Sequence, residues 1–287
     1  MFEQSNNIYS NLTEQQQELA KDISLHRING LDIPFSNKWR KIGVNLSGGA
    51  DSACLTYLLC KIITENNFNC KIDIITHVRC WSTRPWQQPI SVNVFTKLKN
   101  MFPDIIDQRY ENFIAPPLEH GASGLLFPNH DNTTMHSGDQ VSVSEFNQYC
   151  FYRYKLDGIF NATSANPKGM DFPKKMLDRE KIPTDGSIDD LVVAINTHNK
   201  FIFHPFRFVE KSWIIAQYYL FDIVNLLDTT RSCEGDIRST NIKNSIPDLD
   251  HYTLEKDVPT CGNCFWCLER EWAYNQLDET LEKIKNV

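Results

Sequence analysis

Two groups of residues in this chain have the types and the spacing that do chemistry. The first is Ser47-Gly48-Gly49-Ala50-Asp51-Ser52, set between an apolar run and a helical pattern. Paired glycines allow positive φ and a close backbone approach to a ligand. The two serines and the free amides of a first helical turn donate to phosphate oxygens. Asp51 left bare would repel such an anion, so its expected work is to hold a Mg²⁺ ion that neutralises a polyphosphate. The usual NTPase pattern, Gly-x-x-x-x-Gly-Lys-Ser/Thr, does not occur in the chain. The second group is Cys261-Gly-Asn-Cys264-Phe-Trp-Cys267, whose three-residue spacing lets a turn and a helix start aim three thiols at one point. Cys233 lies alone between residue 150 and this triplet, and a fourth thiolate there completes a tetrahedral Cys₄ site of the structural zinc kind. Cys₄ sets also carry iron–sulfur clusters, and that alternative stands beside zinc.

The elements that must position these groups follow from periodicity. An apolar strand from Ile42 to Leu46 feeds the serine–glycine loop, and a helix from Ser52 to about Glu65 follows it, with Ala53, Leu55, Leu58 and Leu59 as its apolar positions. Lys71 to Val78 reads as the next strand and Ile90 to Met101 as a second helix. A third strand starts near Ile105. Ser144 to Leu156 reads as a helix, Gly158 to Thr163 as a strand with a polar tip, Phe201 to His204 as a short strand, and Lys211 to Phe221 as a helix. Strand, helix, strand at these lengths implies parallel pairing by right-handed crossovers, hence an α/β fold with a doubly wound parallel sheet. Ligands bind at the carboxyl ends of such strands, which makes Asn161 and Thr163 candidate substrate contacts, with Ser164 and Asn166 beside them. Upstream, Thr13 and Gln16 form a capping box for a first helix that Asn29-Gly30 and Pro34 end, leaving a short linker. Two polar stretches, 115–139 and 168–187, read as lids. The expected organisation is an N-terminal helix and linker over 1–39, an α/β domain over 40–232, and a metal-binding C-terminal segment over 233–287.

With 287 residues, 41% hydrophobic and 23% charged, the chain buries a full core and is not disordered. A net charge of −7 gives no global reason to expect a polyanion-binding surface. No stretch approaches the length of apolar sequence that a membrane span needs. Of the nine cysteines, Cys54, Cys60, Cys70, Cys80 and Cys150 are scattered, and the remaining four form the C-terminal set; that division suits a reducing, cytoplasmic compartment.

The segment from Ser47 to Ser52 resembles the pyrophosphate-binding loop of the ATP pyrophosphatase (PP-loop) superfamily, whose enzymes split ATP between the α and β phosphates and transfer AMP to a substrate oxygen. A narrower resemblance is carried by Pro205, Lys211, Thr230, Ser232, Cys233, Cys261, Gly262, Cys264, Cys267, Arg270 and Ala273, which match in order the C-terminal half of the 7-cyano-7-deazaguanine synthases. That resemblance implies a Rossmann-like fold, ATP, Mg²⁺ and Zn²⁺ as cofactors, structural zinc on the four cysteines, and Lys211 against the phosphates. It implies a ligase of queuosine-type 7-deazapurine synthesis, in which a 7-carboxy-7-deazaguanine is adenylated and ammonia displaces AMP to give an amide and then a nitrile. Members of the family often form homodimers. The chain departs from the family after its second strand, where His77-Val78-Arg79-Cys80-Trp81-Ser82-Thr83-Arg84-Pro85-Trp86 replaces an aromatic-Gly-Gln-x-His segment. It departs again at Asn161 to Pro167, which stands where the family has an acidic, tyrosine-containing loop, and in the longer interval from Cys233 to Cys261. At the acceptor end, Arg79 and Arg84 suit a carboxylate, and Trp81 or Trp86 suits stacking on a flat heterocycle. The same fingerprint admits three other readings: attachment of a deazapurine to a macromolecule such as a protein, ATP-dependent tRNA thiolation, and a non-catalytic nucleotide-binding subunit.

Overall fold

A computed structural model describes residues 22–78, 87–114, 137–167, 192–195, 200–233, 260, 262 and 264–286. The expected N-terminal helix therefore lies outside the described residues as far as residue 21, as do the stretch 79–86, the second lid and nearly all of the first.

Six strands form one sheet. In chain order these are β3 (Lys41–Asn45), β4 (Lys71–Val78), β5 (Ile106–Phe113), β6 (Gly158–Phe160), β7 (Val192–Ile195) and β8 (Lys200–Phe203), arranged in space as β5-β4-β3-β6-β8-β7. All neighbours are parallel except β7, which pairs antiparallel with β8 at the edge. The sheet is doubly wound: from β3 the chain steps outward to β4 and β5, then returns to the other edge of β3 with β6. The strand order reverses between β3 and β6, and in open α/β sheets that switch point is where a crevice opens. Every residue of β4 after Lys71 is buried, as expected of a parallel strand covered on both faces. Helix α1 (Ala50–Glu65) buries residues around most of its circumference, including Leu55, Leu58, Leu59 and Ile62, so it is a core helix and not a surface one. Helices α2 (Gln87–Met101), α3 (Ser137–Tyr154), α4 (Lys211–Leu220) and α5 (Val224–Leu227) complete the layers. The C-terminal segment adds α6 (Phe265–Asn275) and α7 (Leu277–Lys285). Through Ala273, Cys264 and Cys267 it shares the main core.

The end of the stretch expected as the first helix, and the linker after it, are instead a hairpin. β1 (Ser24–Ile28) pairs antiparallel with β2 (Leu31–Phe35), and Asn29 and Gly30 turn it with φ of 47° and 86°. Two positive φ values make the type I′ turn that Asn-Gly favours. The turn docks on α4, since Asn29 Nδ2 donates to Gln217 Oε1 at 2.7 Å and Trp213 Nε1 donates to the Asn29 carbonyl at 3.2 Å. Phe35, stacked on Phe68 at 5.4 Å, anchors its other end. Two further differences concern length. Helix α3 begins at Ser137 rather than Ser144, and β7 occupies part of a stretch for which periodicity gave no strand.

Candidate active site

The loop after β3 has the form the sequence requires of an anion cradle. Gly49 is the N-cap of α1 and offers no side-chain cap, so the amides of the first helical turn point outward without the acceptor a serine or aspartate cap would supply. The loop braces itself with hydroxyls. Ser52 Oγ donates to the Gly49 carbonyl at 3.1 Å and accepts from the Ser47 amide at 3.2 Å, while the Gly49 amide donates to Ser47 Oγ at 3.3 Å. The two glycines have different reasons. Gly48 takes φ of +84°, and a Cβ there would meet the Ser91 backbone nitrogen at 2.9 Å. Gly49, at φ −81° and ψ 161°, is ordinary extended backbone, against the expectation of positive φ at both. Its role is proximity: a Cβ at Gly49 would come within 3.2 Å of Ser232 Oγ and 3.4 Å of Ser47 Oγ. Tyr218 of α4 fixes the start of the helix from below, donating its buried hydroxyl to the Ala50 carbonyl at 2.5 Å.

Lys211, expected against phosphates, is fully buried at the start of α4 and turns its ammonium to carboxylates. Nζ lies 2.5 Å from both oxygens of Asp51 and 3.5 Å from Glu269 Oε2. Its side chain is 1% exposed, that of Asp51 15% and that of Glu269 0%. A buried ammonium demands counter-charge, and Asp51 supplies it at hydrogen-bond distance. The structure thus brings the two residues to one spot, with the ammonium against the aspartate and not among the groups that line the cavity.

That cavity measures about 300 Å³ and runs from the loop across the carboxyl ends of β3, β4 and β6. Ser47, Gly49, Asp51 and Ser52 line one end, together with Arg231, Ser232, Cys233 and Trp266. Asn45, His77, Gln87, Asn161 and Thr163 line the other. The segment holding Arg231 is pinned to the loop, its amide donating to the Gly48 carbonyl at 2.9 Å. Among the described lining residues, Arg231 carries the one permanent positive charge. The far end is built from neutral amides. Asn112 Nδ2 donates to His77 Nδ1 at 3.2 Å, and His77 Nε2 faces Asn45 Oδ1 at 3.2 Å and Asn147 Oδ1 at 3.3 Å, which fits the tautomer with its proton on Nε2. Asn45 Nδ2 then donates to Asn161 Oδ1 at 2.5 Å. Asn161 and Thr163 thus reach the cavity as expected, whereas Arg79, Trp81 and Arg84 lie outside the described residues. Asn45, Arg231 and Glu269 were missed. A polar residue closing an apolar strand was the available signal for Asn45, and nothing in spacing marks the other two.

Cys233, Cys264 and Cys267 bring their sulfurs within 4.8 Å of one another, with Cys264 Sγ 4.0 Å from Cys233 Sγ. Tetrahedral thiolates at about 2.3 Å from zinc stand about 3.8 Å apart, so these three sulfurs fit a metal's edge length. Cys261, the expected fourth ligand, lies outside the described residues. The Cys267 thiol is pushed up to about 11, first by burial and then by the Cys264 thiol beside it. Crowded thiols of this kind ionise together only when a cation neutralises them. Cys233 belongs to both places, lining the cavity and the thiol cluster.

No family model and no curated protein matches the sequence. Among solved structures, the chain is similar to the U34-tRNA thiolase NcsA from Methanococcus maripaludis with its 4Fe–4S cluster, at 13% identity and TM-score 0.44, over 96% of this chain and 80% of that one. It is also similar to phosphoadenylyl-sulfate reductase from Candida auris in a phosphate complex, at 10% identity and TM-score 0.37, over 72% and 84% of the two chains. A third is NAD⁺ synthetase from Burkholderia pseudomallei, at 12% identity and TM-score 0.38, over 86% and 79%. Among the described residues no helix is long and apolar enough to cross a membrane.

Proposed function

We propose that this chain is an ATP-dependent enzyme of the ATP pyrophosphatase superfamily that adenylates an oxygen of an acceptor and releases pyrophosphate. The observation that carries the reading is the glycine-capped start of α1 at the switch point of the sheet, with Asp51 at its mouth and a cavity in front of it. Outward amides and the helix dipole favour the polyphosphate. Asp51 would hold Mg²⁺, and Arg231 would meet phosphate oxygens from beside the loop. Catalysis of this kind is positioning and charge neutralisation, with no side-chain nucleophile required.

For the acceptor, a planar 7-deazapurine carboxylate with ammonia as the nitrogen source is the reading favoured by the cysteine-rich C-terminal fingerprint. The amide end of the cavity supports it: Asn161 and Thr163 line it with neutral polar groups of the kind a heterocycle edge requires. A deazapurine joined to a macromolecular acceptor belongs to the same chemistry. The test is mass spectrometry of a reaction containing the protein, Mg-ATP, ammonium and 7-carboxy-7-deazaguanine. Amide or nitrile product supports the reading, and unchanged acid refutes this acceptor.

A second reading, ATP-dependent thiolation of tRNA, is favoured by one specific observation. Cys233 lines the cavity as well as the thiol cluster, so a sulfur-bearing centre there would open onto the adenylated substrate. Metal and acid-labile sulfide analysis separates the two. Zinc without sulfide supports the ligase, and iron with sulfide supports thiolation.

A further inference from the structure

Between the loop and the thiol cluster lies an arrangement that nucleotide binding alone does not explain. One ammonium, Lys211, is shared by two carboxylates that come from different parts of the chain: Asp51 from α1 and Glu269 from α6. The sharing is unequal. Asp51 takes the ammonium with both oxygens at 2.5 Å, while Glu269 Oε2 stands at 3.5 Å, within reach of an ion pair but beyond a good hydrogen bond. Asp51 and Lys211 already form a neutral pair. Glu269 is fully buried as well, so the same ammonium has carboxylates from two helices within reach of an ion pair. The neighbouring Arg270 is directed elsewhere, to the carbonyls of Thr230 and Leu227.

We propose that Glu269 is a second seat for the Lys211 ammonium, which passes from Asp51 to Glu269 when Asp51 turns to a magnesium ion carried by the nucleotide. The inference rests on the ATP reading given above. A carboxylate cannot keep an ammonium at hydrogen-bond distance and also hold a divalent cation without bringing two positive charges together in a poorly screened site. Without another acceptor, Lys211 would compete with the metal for Asp51. With Glu269 present, closing the gap from 3.5 Å to about 2.8 Å gives the ammonium a charge-assisted hydrogen bond and leaves Asp51 free. Glu269 is then a positioning residue that acts through Lys211 and touches no substrate. Its place on α6 makes the seat rigid, because that helix buries Phe265 and Ala273 on the same side as Glu269.

The test is nucleotide binding to the full chain, titrated with Mg-ATP and with ATP in the presence of a chelator. The proteins are wild type, Glu269→Gln and Glu269→Asp, each with and without Lys211→Met. The chelator is chosen and dosed to leave the thiol-bound metal in place, checked by metal content. Glu269→Gln is expected to weaken Mg-ATP about tenfold, the weight of one lost charge-assisted contact, and to change metal-free ATP by less than about twofold. Glu269→Asp keeps the charge with a longer gap and falls between, which covers the case in which the glutamine variant does not fold. In the Lys211→Met background, Glu269→Gln should make no magnesium-specific difference. Equal weakening of both nucleotide forms, no weakening of either, or a magnesium-specific loss that persists without Lys211 overturns the proposal. A wild-type chain that binds neither form overturns the ATP reading itself, a result distinct from all of these.

Discussion

Replacing Gly48 by alanine sets two penalties on one backbone position, while the same change at Gly49 sets neither in full. At Gly48 the φ of +84° costs an alanine about 1–2 kcal/mol. The added methyl would stand 2.9 Å from the Ser91 backbone nitrogen and 3.0 Å from Ile90 Cγ2, and the start of α2 must move to admit it. Overpacking of this sort costs about 1–3 kcal/mol, so Gly48→Ala should destabilise by about 2–5 kcal/mol in total. At Gly49 the extended backbone accepts alanine, and the nearest atom, at 3.2 Å, is a rotatable serine hydroxyl. The loss of unfolded-state freedom favours alanine there by about 0.4–1 kcal/mol, so its net effect on stability is close to zero. Its methyl instead projects beside Ser47 and Ser232, at the cavity wall where phosphate must approach. Urea unfolding with an unchanged m-value reads the first effect, and ATP titration of the folded proteins reads the second. The expected pattern is a lower midpoint for Gly48→Ala, and a near-native midpoint with lost ATP affinity for Gly49→Ala. Equal midpoints for the two variants, or full ATP affinity in Gly49→Ala, would refute the reasoning.

Three other outcomes are expected. Burial, and then the charge of Arg207, lowers the His204 pKa from 6.5 to about 4. The unfolded chain therefore binds more protons between those values; the contribution of His204 is complete above pH 6.5 and lost as pH falls through about 4. Discounted for a partly exposed ring, this amounts to about 2 kcal/mol, and His204→Asn should flatten that part of the pH–stability curve in denaturation series. Cys233→Ser should lower bound metal per chain and the melting temperature together, as read by elemental analysis and calorimetry; unchanged metal content would remove Cys233 from the ligand set. Arg231→Met should weaken ATP more than AMP, because Arg231 stands beside the loop that the β and γ phosphates would occupy and AMP lacks them; equal effects on both nucleotides would contradict its place at the phosphates.

Much of the fold is legible because β3, α1 and β4 carry strong and different periods in succession. Their parallel pairing follows from the length of the crossover. The hairpin at Ser24–Phe35 was missed although its Asn29-Gly30 turn is a strong local signal, because the helical pattern before it was extended to meet the turn. β7 left no readable trace, being a short edge strand whose contribution is backbone pairing with β8. At the site, types and spacing pointed to the loop, Asp51 and the cysteines, and the family resemblance alone pointed to Lys211. A motif match does not report burial: the resemblance implied phosphate contact for Lys211, and the structure sets its buried ammonium against Asp51 and Glu269. Glu269 was invisible for a related reason: between Cys267 and Arg270 it reads as one more charged residue on a polar helix, and only the packing of α6 turns it inward. The amide relay from His77 to Asn161 joins residues on separate strands, and no local pattern encodes such a meeting.

The most direct test is the identity of the phosphorus products when Mg-ATP is turned over with an acceptor, followed by ³¹P NMR with Asp51→Ala as the control. Cleavage between the α and β phosphates predicts AMP and pyrophosphate in equal amounts, abolished in the control. ADP and inorganic phosphate, or turnover that survives the loss of Asp51, would contradict the account.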